Sequence, residues 1–217
     1  RDYLTEFVKN RPDDRFGFVF FSTKAINLLP LTYDKEAVLA TINANALGKG
    51  LSDTNMAEAL LSSAKMFEGQ PYRGSRIVLL VSDGGQILTD EAKEKIAKIY
   101  REMNLTIYWI YLKSRQEMTL EASDNDNLLW VDIPERKLHT FFKSIGVPYR
   151  AFEAGSLQSF ADALAEIDRR HYQTLIVEET LPHEPKEDVF LWLAMLAMLL
   201  LASSHLYTWW GVKKAHE

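Results

Sequence analysis

The sequence predicts an α/β domain, an open and doubly wound, mostly parallel sheet, followed by one C-terminal transmembrane helix. Three observations carry that expectation. Short apolar runs of strand length alternate with segments of helical period. The runs are apolar on both faces, which suits parallel strands covered by helices on each side. Residues 189–210 form a stretch of 22 with no Asp, Glu, Lys or Arg, long enough for a helix to cross the roughly 30 Å hydrocarbon core.

The elements follow in chain order. Tyr3, Leu4, Phe7 and Val8 form the apolar stripe of a short helix, which ends at the turn Arg11-Pro12-Asp13-Asp14. Residues 16–22 (FGFVFFS) are the first strand. A helix that leads into a strand implies a strand before the helix, and the expectation is a domain that lacks its first strand, with exposed edges prone to aggregate. Val38, Leu39 and Ile42 mark the next helix. Met56, Ala59, Leu60, Ser63 and Phe67 mark another, at spacings i, i+3, i+4, i+7 and i+11. Residues 77–81 lie inside RIVLLVSDGG and form a strand. Ala92, Ile96, Ile99 and Met103 line a helix opened by Thr89 or Asp90 as cap. Its Lys93, Lys95, Lys98 and Arg101 interleave with Glu91, Glu94 and Glu102, the pattern of a solvated face. Residues 107–112 (IYWIYL) are a strand. Leu138, Phe141, Phe142 and Ile145 line a helix that stops at Gly146, residues 148–152 are a short strand, and Leu157, Phe160, Ala161, Leu164 and Ile167 line a last helix. Residues 171–181 alternate loosely, as an extended segment would.

Domain organisation follows from these elements: an α/β domain over 1–170, a short stalk over 171–188 stiffened by Pro182 and Pro185, a span over 189–210 and a tail over 211–217. A buried terminal helix is the alternative to the span, but a buried helix of that length usually keeps some polar face. Tyr207, Trp209 and Trp210 stand where aromatic rings favour the membrane interface, and His205 lies one turn from them. Lys213 and Lys214 follow the span, whereas Glu184, Lys186, Glu187 and Asp188 precede it. The positive-inside rule puts the tail in the cytoplasm and the large domain in the opposite compartment, the periplasm of a Gram-negative bacterium, with the anchor in the inner membrane.

Composition removes several functions. With 25 Lys+Arg against 30 Asp+Glu the net charge is -5, and a nucleic-acid binder wants a basic stripe. With no Cys, disulfides and thiolate zinc sites are impossible. The histidines show no pair at metal-ligand spacing, and His139 and His171 are expected on helix or stalk surfaces. Residues 124–127 (DNDN), with Glu135 at the twelfth position, begin like a calcium loop, but Leu129 stands where that loop needs Gly. Gly48-Lys49-Gly50 lacks the spacing of a phosphate loop and reads as a turn.

Ligands of open α/β sheets bind beyond the carboxyl ends of the strands. Asp83 occupies that place after residues 77–81, and Gly84-Gly85 beside it allow close backbone approach. Ser52-Asp53-Thr54, before the Met56 helix, is the second candidate, with an N-cap as the plainer reading.

At these residues the chain resembles the von Willebrand factor A domains, and among them the bacterial membrane-anchored Bat type that accompanies MoxR-type AAA+ ATPases. The stretches that carry the resemblance are RPDDRFGFVFFSTKAINLLPLTYD, LSDTNMAEALLSSA, RIVLLVSDGG and FFKSIGVPYRAFEAGSLQSFADALAEID. The resemblance implies a metal-ion-dependent adhesion site fed by an Asp-x-Ser-x-Ser motif, a Thr matching Thr54 and an Asp matching Asp83. Ser52, Asp53, Ser82 and Gly84 would stand around these ligands. Asp53 takes a place where the Bat type commonly has Gly, and Ser52 one where it has an acid. Oxygen ligands suit Mg²⁺, or Mn²⁺ or Ca²⁺. The Asp-x-Ser-x-Ser motif is expected upstream of Arg1, together with one or two further membrane segments, so Thr54 and Asp83 alone form a weak, incomplete site. The implied function is non-enzymatic: capture of a protein partner that offers an acidic residue to the metal, in the assembly or maturation of periplasmic or membrane complexes. Other von Willebrand factor A membrane proteins and a MoxR-type ATPase are the implied partners. A metal-independent scaffold subunit is the competing reading. A metal-assisted hydrolase would need a general base, and the sequence nominates none.

Overall fold

The computed structural model describes residues 2–44, 55–71, 74–113, 119–121, 133–172, 192 and 194–203. The chain divides into two compact units, Arg1–Ile176 and Val177–Glu217. In the first unit, α1 (Asp2–Lys9) leads into β1 (Phe16–Phe21) and β2 (Ala25–Thr32), then α2 (Lys35–Ala44) and α3 (Met56–Lys65). After these come β3 (Arg76–Ser82), α4 (Asp90–Glu102), β4 (Leu105–Leu112), α5 (Pro134–Ser144), β5 (Tyr149–Ala154) and α6 (Leu157–Tyr172).

The α/β character stands, but the sheet is not one piece. β3, β4 and β5 form a parallel sheet in that order, whereas β1 and β2 form a separate two-stranded sheet that is antiparallel. The expectation that residues 16–22 begin a parallel array is corrected on this point. Ser22 turns the chain back, its N–H donating to the Lys24 carbonyl at 3.0 Å, so the next strand pairs directly with β1. Sequence periodicity had not marked β2. Its residues Ile26, Asn27 and Leu28 are exposed and it contains Pro30, the composition of an edge strand that builds little core.

Helices cover both faces of the parallel sheet. Trp109 and Tyr111 of β4 point to one face, with Leu105, Ile107, Val78 and Leu80, beneath Met56 and Leu60 of α3, Ile96 and Tyr100 of α4, and Leu138 and Phe142 of α5. Tyr108 and Ile110 point the other way, against Ala163, Leu164 and Ile167 of α6, with Tyr3, Leu4 and Phe7 of α1 packed alongside. Leu157, assigned to the α6 stripe from its spacing, is exposed instead, because it opens the helix before the stripe reaches the sheet. A third cluster joins Val8 of α1 to Val38 and Ile42 of α2 over Phe16, Phe18 and Leu29 of the hairpin.

Several local expectations hold. Thr89 caps α4, its side chain accepting from the Ala92 N–H. Asp90 and Glu91 pair with Lys93 and Lys95 on the solvated face. Gly146 follows α5 with φ +78°, a conformation that costs glycine little. His171 and Tyr172 complete α6 rather than beginning an extended segment. The His171 side chain helps hold the helix end: it bonds the Tyr108 hydroxyl at 2.8 Å and packs edge-on against its ring. His171 is therefore half-buried against the sheet, not a surface residue. The rest of the proposed stalk, residues 173–188, lies outside the described residues.

In the second unit, residues 194–203 are helical, with Met195, Leu196, Met198, Leu199, Leu200 and Leu201 all exposed. No helix among the described residues is long and apolar enough to cross a membrane. Residues 189–191, 193 and 204–210 of the proposed span lie outside them.

Phe142 is fully buried between Trp109, in edge-to-face contact at 5.9 Å, and Tyr149 at 5.2 Å. Phe142→Ala removes that ring from the larger core and is expected to cost about 3–5 kcal/mol of unfolding free energy, read as a lowered denaturant midpoint in urea titration.

Candidate functional site at the carboxyl end of β3

Parallel strands end together, so their carboxyl ends gather the loops that follow them. β3 reaches that edge at Ser82. The Ser82 hydroxyl is buried, donates to the Gly84 carbonyl at 2.9 Å and accepts the Trp109 indole N–H at 2.9 Å. These two bonds pin the turn to the core and hold Ser82 away from the surface. The next side chain, Asp83, is exposed, and no described residue donates a hydrogen bond to it.

The two glycines face the start of α5. A Cβ on Gly85 would lie 2.7 Å from Glu135 N and Cα, closer than real contacts allow, while one on Gly84 would meet Glu135 Oε1 at 3.6 Å. The Gly85 N–H donates to Glu135 Oε1 at 3.3 Å. Glycine at 85 is thus required by the close approach of the loop to α5. Glu135, which sequence reading placed at the end of a calcium-like loop, is the acid nearest this turn. Together with Glu153 and Asp83 it adds to the burial that pushes the Tyr111 hydroxyl pKa upward.

The first turn of α3 joins the site from the other side. Its N-cap is Asn55, whose side chain accepts the Glu58 N–H at 3.1 Å, so the cap is not Ser52, Asp53 or Thr54. Asn55 N donates to the Ser22 carbonyl at 2.5 Å, and Ala57 N donates to Gln86 Oε1 at 3.1 Å. One helix turn therefore ties the end of β1 to the loop after β3. Thr54, Ser52 and Asp53 lie outside the described residues, as do residues 124–132 and Gly48-Lys49-Gly50. Of the site residues named from sequence, the structure describes Asp83, Ser82 and Gly84. Asn55, Gln86 and Glu135 are additional: Asn55 is a local cap that the sequence reading placed at Ser52–Thr54 instead, while Gln86 and Glu135 reach the site through contacts 29 and 50 residues away in the chain.

Asp83 is one hard oxygen donor. Among the described residues there is no group of three His, Asp or Glu side chains able to hold a metal ion. These residues do not by themselves form a cation shell.

A second polar cluster lies beside β5. His139 was expected on a helix surface, but it is buried. Its Nδ1 lies 2.7 Å from the Tyr149 hydroxyl and its Nε2 lies 3.0 Å from Glu121 Oε1. Aromatic packing of α5 against β5 draws the ring inward, and the two partners satisfy both its nitrogens. Lys143 donates to the same Glu121 oxygen. Arg136, also buried, donates from Nε to the Thr119 carbonyl at 2.8 Å. The group is a clamp that holds residues 119–121 onto α5.

The von Willebrand factor type A domain model matches residues 1–86, from α1 to the loop that carries Asp83. Over that stretch the chain is similar to the von Willebrand factor type A domains. Its fold is similar to that of an aerotolerance-related membrane protein from Bacteroides fragilis NCTC 9343, with TM-score 0.55 and 16% identity over 79% of this chain and 86% of that one. It is also similar to the conserved hypothetical protein BatB from Bacteroides thetaiotaomicron, with TM-score 0.51 and 14% identity over 77% of this chain and 86% of that one. At such identities the likeness is one of fold. Comparison with curated proteins returns no match.

Hydrogen bonds from Lys143 and His139 hold the Glu121 carboxyl down to about 2, against 4.5 without them. A lowered carboxyl pKa stabilises the folded state above the unfolded value, and that contribution is lost as pH falls through the folded one. The clamp is expected to loosen between about pH 4.5 and 2. Amide exchange of residues 119–121 should rise over that window, and Glu121→Gln should remove the pH dependence.

Proposed function

We propose that the von Willebrand factor A domain is a non-enzymatic protein-interaction module whose contact face is the strand-end edge around Asp83. The observation that carries this reading is the exposed carboxylate of Asp83, which follows the parallel strand β3 within the matched stretch and has no described donor neutralising it. Mg²⁺ is proposed as a bridge between Asp83 and an acidic side chain of the partner, with Thr54 and oxygen donors beyond the described residues completing its shell. Mn²⁺ or Ca²⁺ would serve the same donors. The proposed setting is the assembly or maturation of membrane or periplasmic complexes, with another von Willebrand factor A membrane protein or a MoxR-type ATPase system as partner.

The test is partner capture by the full-length protein in the presence of Mg²⁺. Asp83→Ala and chelation are each expected to reduce capture at least tenfold, and added Mg²⁺ should restore it after chelation. Capture that survives both changes would mean a metal-independent scaffold subunit.

We also propose that residues 189–210 anchor the protein in the bacterial inner membrane with the large domain in the periplasm. The fold relative from Bacteroides fragilis is described as a membrane protein. The helical residues 194–203 are apolar all round apart from Ser203, a poor surface for water and a good one for lipid. The protein is expected to remain with membranes through alkaline carbonate extraction, and deletion of residues 189–217 should release it. Since the chain has no Cys, a single Lys98→Cys change should react with an impermeant maleimide in intact spheroplasts. Labelling that requires cell lysis would reverse the orientation.

A further inference from the structure

His171 stands on the last turn of α6, and its ring lies against the sheet. Nε2 is 2.8 Å from the Tyr108 hydroxyl of β4, and the two rings meet edge-on with centroids 5.4 Å apart. Nδ1 is buried and has no hydrogen-bond partner among the described residues. A neutral imidazole tolerates this arrangement. The Tyr108 hydroxyl meets Nε2 in either tautomer, as donor or acceptor, and the nitrogen left over carries no charge. A protonated ring has an N–H on both nitrogens and needs two acceptors. It finds one, and the second N–H is buried with a charge and no partner, which is costly.

The charges around the ring do not supply what is missing. From the turn after α1 come the buried Arg11 and Asp14, bonded to each other at 3.0 Å. From α6 itself, Asp168 accepts from Arg11 Nε at 2.8 Å, and Glu166 accepts from Arg170 Nε at 2.7 Å and pairs with Arg169. From β5, Arg150 lies 3.6 Å from Glu166. α1 presents Tyr3, Leu4 and Phe7 to this face. Each nearby acid is thus already bonded to an arginine. The carbonyl end of a helix favours a positive charge, but Arg11 takes the Ile167 and Asp168 carbonyls at 3.5 and 3.4 Å. Burial, then the Arg11 charge, partly offset by Asp14, and the Arg170 charge hold the His171 pKa below its ordinary 6.5.

We infer that His171 is an acid-sensitive latch: neutral, it pins the last turn of α6 to β4 through Tyr108, and protonated, it lets that turn go. A pKa lowered in the docked state gives a contribution that is full above the free value of 6.5. It is lost as pH falls from there through the lower docked value. This window begins above that of the Glu121 clamp, whose carboxyl ordinarily titrates at 4.5, so the two responses separate on the pH axis.

Hydrogen exchange of the 217-residue chain, corrected for the intrinsic pH dependence of exchange, reads the latch. Protection of residues 168–172 is expected to fall roughly threefold or more between about pH 7.5 and 5.5, while residues 107–111 keep theirs. His171→Gln cannot titrate, and protection of 168–172 in that variant is expected to stay flat over the same range. Tyr108→Phe keeps the ring contact without the hydroxyl, and its loss of protection is expected to begin at higher pH. A flat profile in the unchanged chain overturns the inference. An equal fall in His171→Gln also overturns it, by giving the effect to Asp14, Glu166 or Asp168. If His171→Gln does not fold, Tyr108→Phe decides, and a profile identical to that of the unchanged chain overturns the latch. None of these readouts depends on metal or partner capture, so this inference and the proposed function can fail separately.

Discussion

Residues 105–112 have no polar face, and the layers of the domain follow from that. Leu105, Ile107, Trp109 and Tyr111 must be covered on one side and Tyr108 and Ile110 on the other. A strand with such a sequence cannot sit on a surface, because each bare face would leave large apolar groups in water. It calls for a paired strand on each edge and helices above and below. α3, α4 and α5 meet the first face and α6 with α1 the second. The polar atoms carried into this layer are satisfied where they lie: the Trp109 indole by Ser82 and the Tyr100 hydroxyl by the Leu60 carbonyl at 3.1 Å. Burial raises the pKa of the Tyr100 hydroxyl, which keeps it neutral and available as a donor.

The same packing sets the strand-end edge. Ser82 is the last residue of β3 on the Trp109 side, so its hydroxyl belongs to the core, while Asp83 falls on the far side of the turn in solvent. Gly85 lets α5 press against that turn, and Gln86 reaches across to α3. The edge is thus a junction of α3, β3 and α5, and its geometry is controlled from residues far apart in the chain. On the opposite face, the buried Arg11 holds the turn after α1 to α6 through Asp168 at 2.8 Å, beside Asp14 at 3.0 Å. This ties α1, which extends under the hairpin, to the parallel sheet.

Much of the fold was legible in the sequence, for identifiable reasons. Helices α1 to α6 have apolar spacings near 3.6, and β3 and β4 are apolar runs too short for helices, so period and length separated them. β2 was not legible, because an exposed edge strand with a proline buries little and has no sharp pattern. Asp83 was legible from its place after an apolar strand and before two glycines. Asn55 as the cap, Glu135 beside Gly85, and the burial of His139 and His171 were not. Glu135 and the two histidines depend on partners 10 to 63 residues away that no local pattern names, whereas Asn55 and Glu58 form a local capping pair that the reading placed a few residues too early.

By itself the sequence determined the order and type of most elements, the two-faced burial of β4 and the position of Asp83 at a strand end. These depend on local periodicity and on the free energy of apolar burial, which act wherever the chain is placed. The tertiary structure alone decided that the strands fall into a parallel sheet and a separate hairpin and that the first turn of α3 bridges them. Strand pairing is a choice among non-local partners. An apolar run records that it must be covered, but not which strand will lie beside it.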